Sequence, residues 1–249
     1  MKAFAVEFQK IRRRRIWLII ALLVFVQVVW SLWGVSDMDA HELQQGWRFS
    51  LYQFPLLNSI MMPVVAAVVA SRLCDVEHKG QSLKSLRTIL PAWKIFDAKF
   101  LCGAVFMLVA TILQVLLICI IGLGKQFTEP IPIRLIGYYL IFTFAINLTI
   151  LVFQQVLSLL FKNQMVSLSV GLIGTFIGLF SLFFPQGFQK FLIWGYYGVL
   201  MFVRMDWNPE TRISNLFWTP VDWSGLIILA VYFFAIYLVG RRLFIRKEI

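Results

Sequence analysis

Charge is what this chain has least of where it would matter most. Asp, Glu, Lys and Arg make up only 14% of its 249 residues, and none lies deep inside any of its long apolar runs. That argues against a proton- or sodium-coupled carrier, which normally needs an ionisable group within the membrane. Histidine is confined to His41 and His78, in loops on opposite sides, so no histidine-based metal or acid–base site can be assembled. The three cysteines, Cys74, Cys102 and Cys119, lack metal spacing and read as small buried apolar residues. There is no HExxH sequence, no membrane-embedded acidic pair and no GxxxxGK[ST] loop. Hydrolytic chemistry and ATP binding therefore have no visible seat in this chain, and any energy it uses must come from elsewhere.

What is present is apolar length. Hydrophobic residues make up 60% of the chain and mean hydropathy is +0.82, outside ordinary soluble composition. A bilayer core of roughly 30 Å needs about 20 apolar residues in a helix. Six runs of that order occur: Ile16–Val35, Phe54–Leu73, Phe100–Ile121, Leu135–Leu160, Val166–Phe184 and Trp223–Leu243. They lack the alternation of barrel strands, so helices are expected. Ile16–Val35 is too long for a typical signal-peptide core and no small-residue cleavage pattern precedes Asp37, so it counts as a span. The expected fold is an all-α membrane protein, one transmembrane domain over residues 1–249.

Lys and Arg orient it. The N-terminus, the Arg72–Lys99 loop, Lys162 and the C-terminus carry 17 of the 23 basic residues, which predicts both termini and that loop in the cytoplasm. The formal +11 is then an orientation signal with attraction to anionic lipid, and calls for no nucleic acid. Residues 1–15, with Phe4, Phe8 and Ile11 on one face, predict an interfacial amphipathic helix, the alternative being a plain basic flank.

Three segments carry the functional expectation. The loop 72–99 holds an acidic pair (Asp75, Glu77), then Gly80, then Leu83, Leu86 and Ile89 at helical spacing, closed by Pro91. Gly80 allows a sharp exit from the second span, Pro91 stops the helix before the third, and the apolar stripe needs a groove on a soluble partner. A solvated basic connector is the alternative, though it has no need of the stripe. The outer stretch 185–222 contains Phe188–Val203, apolar and aromatic but interrupted by Lys190 and two glycines, and about 16 residues is short for a span. It predicts a re-entrant or interfacial helical element with Trp194, Tyr196 and Tyr197 at headgroup depth; a seventh span would send the basic C-terminus outside. Within the spans, Gln27, Asn58, Gln114, Asn147, Gln154 and Gln155 read as interhelical hydrogen-bonding groups or as contacts for a substrate, and Gly171, Gly174 and Gly178 as a close-packing face, within the subunit or across a dimer seam.

Together these residues resemble the ABC transporter type-2 permeases. They are most similar to the permease subunits of lantibiotic-immunity exporters. The resemblance rests on Glu7 and Lys10 before a basic run, on Glu77-x-x-Gly80-x-x-Leu83-x-x-Leu86 followed by Pro91 and Lys99, on the Phe161-x-Asn163-Gln164 turn into a glycine-rich span, and on Pro185 with Trp194-Gly195-Tyr196-Tyr197. It implies that Asp75–Leu90 is a coupling helix seated on a separate ATP-binding subunit, which holds ATP and magnesium, with no cofactor in this chain. It implies a second permease, homologous or identical, and an export path lined by Asn147, Trp194, Tyr196 and Tyr197. The expected substrate is an amphiphilic antimicrobial peptide, with another hydrophobic drug or a lipid as alternative, and the expected location is the bacterial plasma membrane. A stand-alone channel or carrier, and a membrane enzyme or scaffold, are the competing classes.

Overall fold

The structure, a computed structural model, describes residues 7–10, 15–79, 90–210 and 213–247. Six helices among them are long and apolar enough to cross a membrane. They are Ile16–Gly34, Gly46–Lys79, Ala92–Gly124, Ile133–Leu160, Gln164–Ser181 and Trp223–Arg246, called the first to sixth spans below. The fold is an all-α membrane protein with one small β-hairpin. A lipid environment leaves no water to satisfy exposed backbone, and a helix satisfies every amide internally, so each apolar run closes on itself.

The second span is central. Of its most apolar stretch 72% is buried, against 17% for the sixth span at the edge. It tolerates Pro55 and Pro63 inside its length, since neighbouring helices can shelter the freed carbonyls. The first span buries a single stripe, Ile16, Ile20, Leu23, Gln27 and Ser31, at the three- and four-residue spacing of one helix face. Trp17, Leu22, Phe25, Trp30 and Trp33 stand outward. Fourth and fifth spans are joined by the short turn 161–163, where the Asn163 side chain accepts from the Met165 amide (3.0 Å) and caps the fifth helix.

The basic end of the bundle carries residues 7–10, the helix ends at 79 and 92, and the last turn at Arg246; the hairpin end carries everything between spans on the other side. Before the second span, Asp39 and Glu42 form a capping box around the five-residue helix Ala40–Gln44.

The outer segment departs from the helical element expected over Phe188–Val203. It is helical only in pieces: Gln186–Gln189, the 3-10 turn Ile193–Gly195, and Tyr196–Val199. It then runs as β1 (Val203–Asn208) into β2 (Ile213–Trp218), antiparallel, with Met205 opposite Leu216 and Trp207 opposite Ser214. The reason is legible in hindsight. Val203, Met205 and Trp207 alternate with Arg204, Asp206 and Asn208, a period of two that no helix face can use. Asn208 closes the strand by accepting from the Glu210 amide (2.9 Å) in an Asx turn.

Candidate functional site

At the basic end, the residue that organises the structure is Lys99. Its side chain is fully buried, about two turns into the third span. Its ammonium donates to the Leu73 carbonyl on the second span (2.8 Å) and to Glu7 Oε2 (2.9 Å), and Lys10 donates to Glu7 Oε1 (2.9 Å). One cation thus ties residues 7–10 to the two helices from which segment 80–91 hangs. Burial pushes the Glu7 carboxyl up, but Lys99 and then Lys10 beside it win and hold it below its ordinary 4.5. Glu7 turns into the bundle, while Phe8, one of the three residues of the expected apolar face, is half exposed and stacks on Phe106 at 6.0 Å. Phe4 and Ile11 lie outside the described residues.

The same end is braced at its rim. Asp97 on the third span accepts from Tyr237 Oη (2.8 Å) and from Arg241 (3.1 Å) on the sixth, and Lys247 donates to the Leu159 and Leu160 carbonyls that end the fourth span. Of the coupling residues expected from the sequence, Pro91 is the residue before the third helix, extended at φ −63° and ψ 140°. Gly80, Leu83, Leu86, Ile89 and the Glu77 side chain lie outside the described residues.

In the middle of the bundle, the uncharged polar residues meet in two layers. Gln27 donates to Asn58 (3.1 Å), Asn58 donates to Gln114 (3.2 Å) and to Tyr139 Oη (2.9 Å), and Gln114 returns a bond to Asn58 (2.9 Å), joining spans one to four. Next to it Asn147 donates to Thr111 Oγ1 (3.1 Å) and accepts from Tyr197 Oη (2.6 Å). Of the four groups expected to line an export path, Asn147 and Tyr197 therefore meet directly. Tyr196 and Tyr197 are completely buried, and Trp194 is wedged into the bundle. The glycines explain why. Gly174 and Gly178 lie against Trp194: a Cβ on Gly174 would stand 2.2 Å from the indole Nε1, and one on Gly178 3.0 Å from the Trp194 carbonyl. Gly171 packs on Ala67 and the Pro63 carbonyl of the second span. The glycine face is spent inside the subunit, as a socket for a tryptophan and a central helix.

The hairpin end is fastened by the second span's first turn. Arg48 donates to the Leu216 carbonyl (3.1 Å) and pairs with Glu129, while Trp47 Nε1 donates to the Glu129 carbonyl (2.9 Å). On the other side Lys190 pairs with Asp222 at 2.6 Å, and Asp222 also accepts from Ser224 and the Gly225 amide. Partial burial would raise this carboxyl; Lys190, Ser224 and Gly225 outweigh it and lower it to about 2.

Charge-poor spans and a buried cation at the foot of a polar loop suit the membrane partner of an energised machine. The model of the ABC-2 family transporter protein matches residues 3–178, from the N-terminal segment into the fifth span. This chain belongs to that family. As an ABC-2 permease it is the membrane component of an ABC transporter, a class that works with an ATP-binding partner. No curated protein matches the chain. The outer segment and the sixth span lie beyond the matched residues. Sequence reasoning noted Glu7 and Lys99 separately and missed their pairing across 92 positions; a lone lysine at a helix end reads as an orientation charge.

Proposed function

We propose that this ABC-2 permease serves an ATP-driven exporter that expels amphiphilic antimicrobial peptides of lantibiotic type from a bacterial plasma membrane, conferring immunity or resistance. Its termini and loop 72–99 face the cytoplasm, where Leu83, Leu86 and Ile89 seat in a separate ATPase subunit that binds ATP and magnesium. A second permease, homologous or identical, completes the pore over two such subunits. The observation that carries this reading is the Lys99 cluster. A loop that must transmit a push from below needs rigid stems, and Lys99 binds both stems and the N-terminal residues at one point.

The test is co-isolation. With Leu83→Asp or Leu86→Asp, a charge enters an apolar groove without a partner, at a cost of several kcal/mol. Membrane insertion of the permease should be unchanged and recovery of the ATPase in a pull-down from membranes should collapse. Unchanged recovery with both variants would reduce the loop to a connector and remove the coupling role.

A further inference from the structure

Between the hairpin and the adjoining ends of the first and second spans lies a cavity of about 140 Å³. Its walls are Met38, Phe49, Tyr52, Met205 and Leu216, and the exposed Glu42 contributes a carboxylate. The hairpin builds one wall through its own periodicity. Met205 and Leu216 are directly opposed, so both side chains leave the same face, and Ser214, two residues from Leu216, joins them. A dry cavity near 150 Å³ is large enough for benzene, so this one suits an aromatic or short alkyl group.

The electrostatic setting is one-sided. Asp37 and Asp39 flank Met38, and with Glu42 they place three exposed carboxylates beside the cavity. They are hydrogen-bonded locally: Asp37 accepts from Ser36 Oγ, Asp39 from the Glu42 amide, and Glu42 from the Asp39 amide. Among the described residues none of the three is in an ion pair. Of the neighbouring cations, Arg48 is taken up by Glu129 and Leu216 O, while Lys125, on the Ser36 carbonyl at 3.4 Å, offsets part of the negative charge. Apolar walls of this size next to an excess of carboxylates suit a molecule whose apolar group sits beside a cation.

We propose that this cavity is a docking site for the apolar side chain of a cationic amphiphilic peptide, with Glu42, Asp37 and Asp39 engaging its ammonium or guanidinium. The proposal deepens the exporter reading by naming the charge class of its substrate and rests on that reading for its biological meaning. The binding itself requires no ATPase, so the two can fail separately: unchanged ATPase recovery with the Leu83 and Leu86 variants sinks the exporter reading, lost binding sinks this site.

The full chain in phosphatidylcholine nanodiscs is titrated with tritiated benzyltrimethylammonium and, in parallel, with tritiated phenylacetate, counting saturable binding above empty discs. The ammonium should bind and the carboxylate should not. Ser214→Phe, which fills the cavity, should abolish saturable binding. Asp37→Asn with Glu42→Gln keeps the capping hydrogen bonds, since glutamine serves at that position, and should weaken the ammonium about fivefold at low salt. Equal binding of the two probes, or unchanged ammonium binding in the neutralised variant, would overturn the proposal. So would loss of binding when the discs contain phosphatidylethanolamine, because the cavity would then belong to a lipid headgroup.

Discussion

Replacing Lys99 by methionine preserves most of the side-chain volume and deletes one charge in a fully buried position. Three things follow. The Leu73 carbonyl loses its partner; Glu7, whose side chain is 6% exposed, keeps only Lys10; and the N-terminal residues lose their tie to the third span. Removing one partner of a buried ion pair typically costs about 3–5 kcal/mol. The remaining Lys10 contact, itself part-exposed, reduces that to about 2–3 kcal/mol, with about 1 kcal/mol added for the carbonyl. Glu7→Gln alone should cost less, because the lysine keeps the Leu73 carbonyl. The double variant should be more stable than the sum of the two, with a coupling of about 1–3 kcal/mol. The assay is unfolding in mixed micelles followed by near-ultraviolet circular dichroism. Acid adds a second reading. A carboxyl held below 4.5 stabilises the fold above its unfolded value and loses that contribution as pH falls through the depressed folded value. Wild type should therefore lose stability below about pH 4.5 more steeply than Glu7→Gln. Strict additivity of the two substitutions, with identical acid profiles, would show that the pair contributes nothing and that Lys99 is no organiser of the loop's stems.

Gly174→Ala should displace Trp194, because the new Cβ would stand 2.2 Å from the indole nitrogen; a loss of about 1–3 kcal/mol is expected in thermal melts, much of it absent in a Trp194→Ala background. The Lys190–Asp222 contact should hold the 185–200 segment down to low pH. Its carboxyl is depressed from 3.8 to about 2, so its contribution is complete above pH 4 and fades toward pH 2. Hydrogen exchange at pH 5 and pH 2.5 should show protection in wild type at the higher value, and Asp222→Asn should remove the difference. Cysteines placed at the exposed Gly187 and Asn208 should both react with an impermeant thiol reagent added outside cells. Reaction of only one of them would mean that the chain crosses the bilayer between them, against the six-span topology.

Much of this architecture follows from composition along the chain. Six runs long enough to span, almost without charge, have only one way to satisfy their backbone in lipid, so the spans could be read before any contact was known. The short turn at 161–163 and the glycine face of the fifth span were equally visible, because both are local patterns. The hairpin is also written locally, in the alternation from Val203 to Asn208, where the helical element expected over Phe188–Val203 ends.

What tertiary structure alone decided is which faces meet. In a soluble helix the polar side marks the outside, but a spanning helix is apolar on both its lipid and its protein face. Periodicity therefore cannot say that Ile16, Ile20 and Leu23 turn inward while Trp17, Leu22 and Phe25 turn out. Partner choice falls to sparse polar and small residues, and their geometry is non-local: Glu7 finds Lys99, Asn147 finds Tyr197, and Trp194 finds the gap at Gly174. The same holds at the hairpin, where Arg48 reaches Leu216 across 168 positions. The sequence by itself determined that this chain is a bundle of spanning helices, because lipid leaves the backbone no other choice. Only packing decided that a buried lysine joins the feet of those helices, since a charge enters such an interior only where a partner, brought from far along the chain, is waiting to neutralise it.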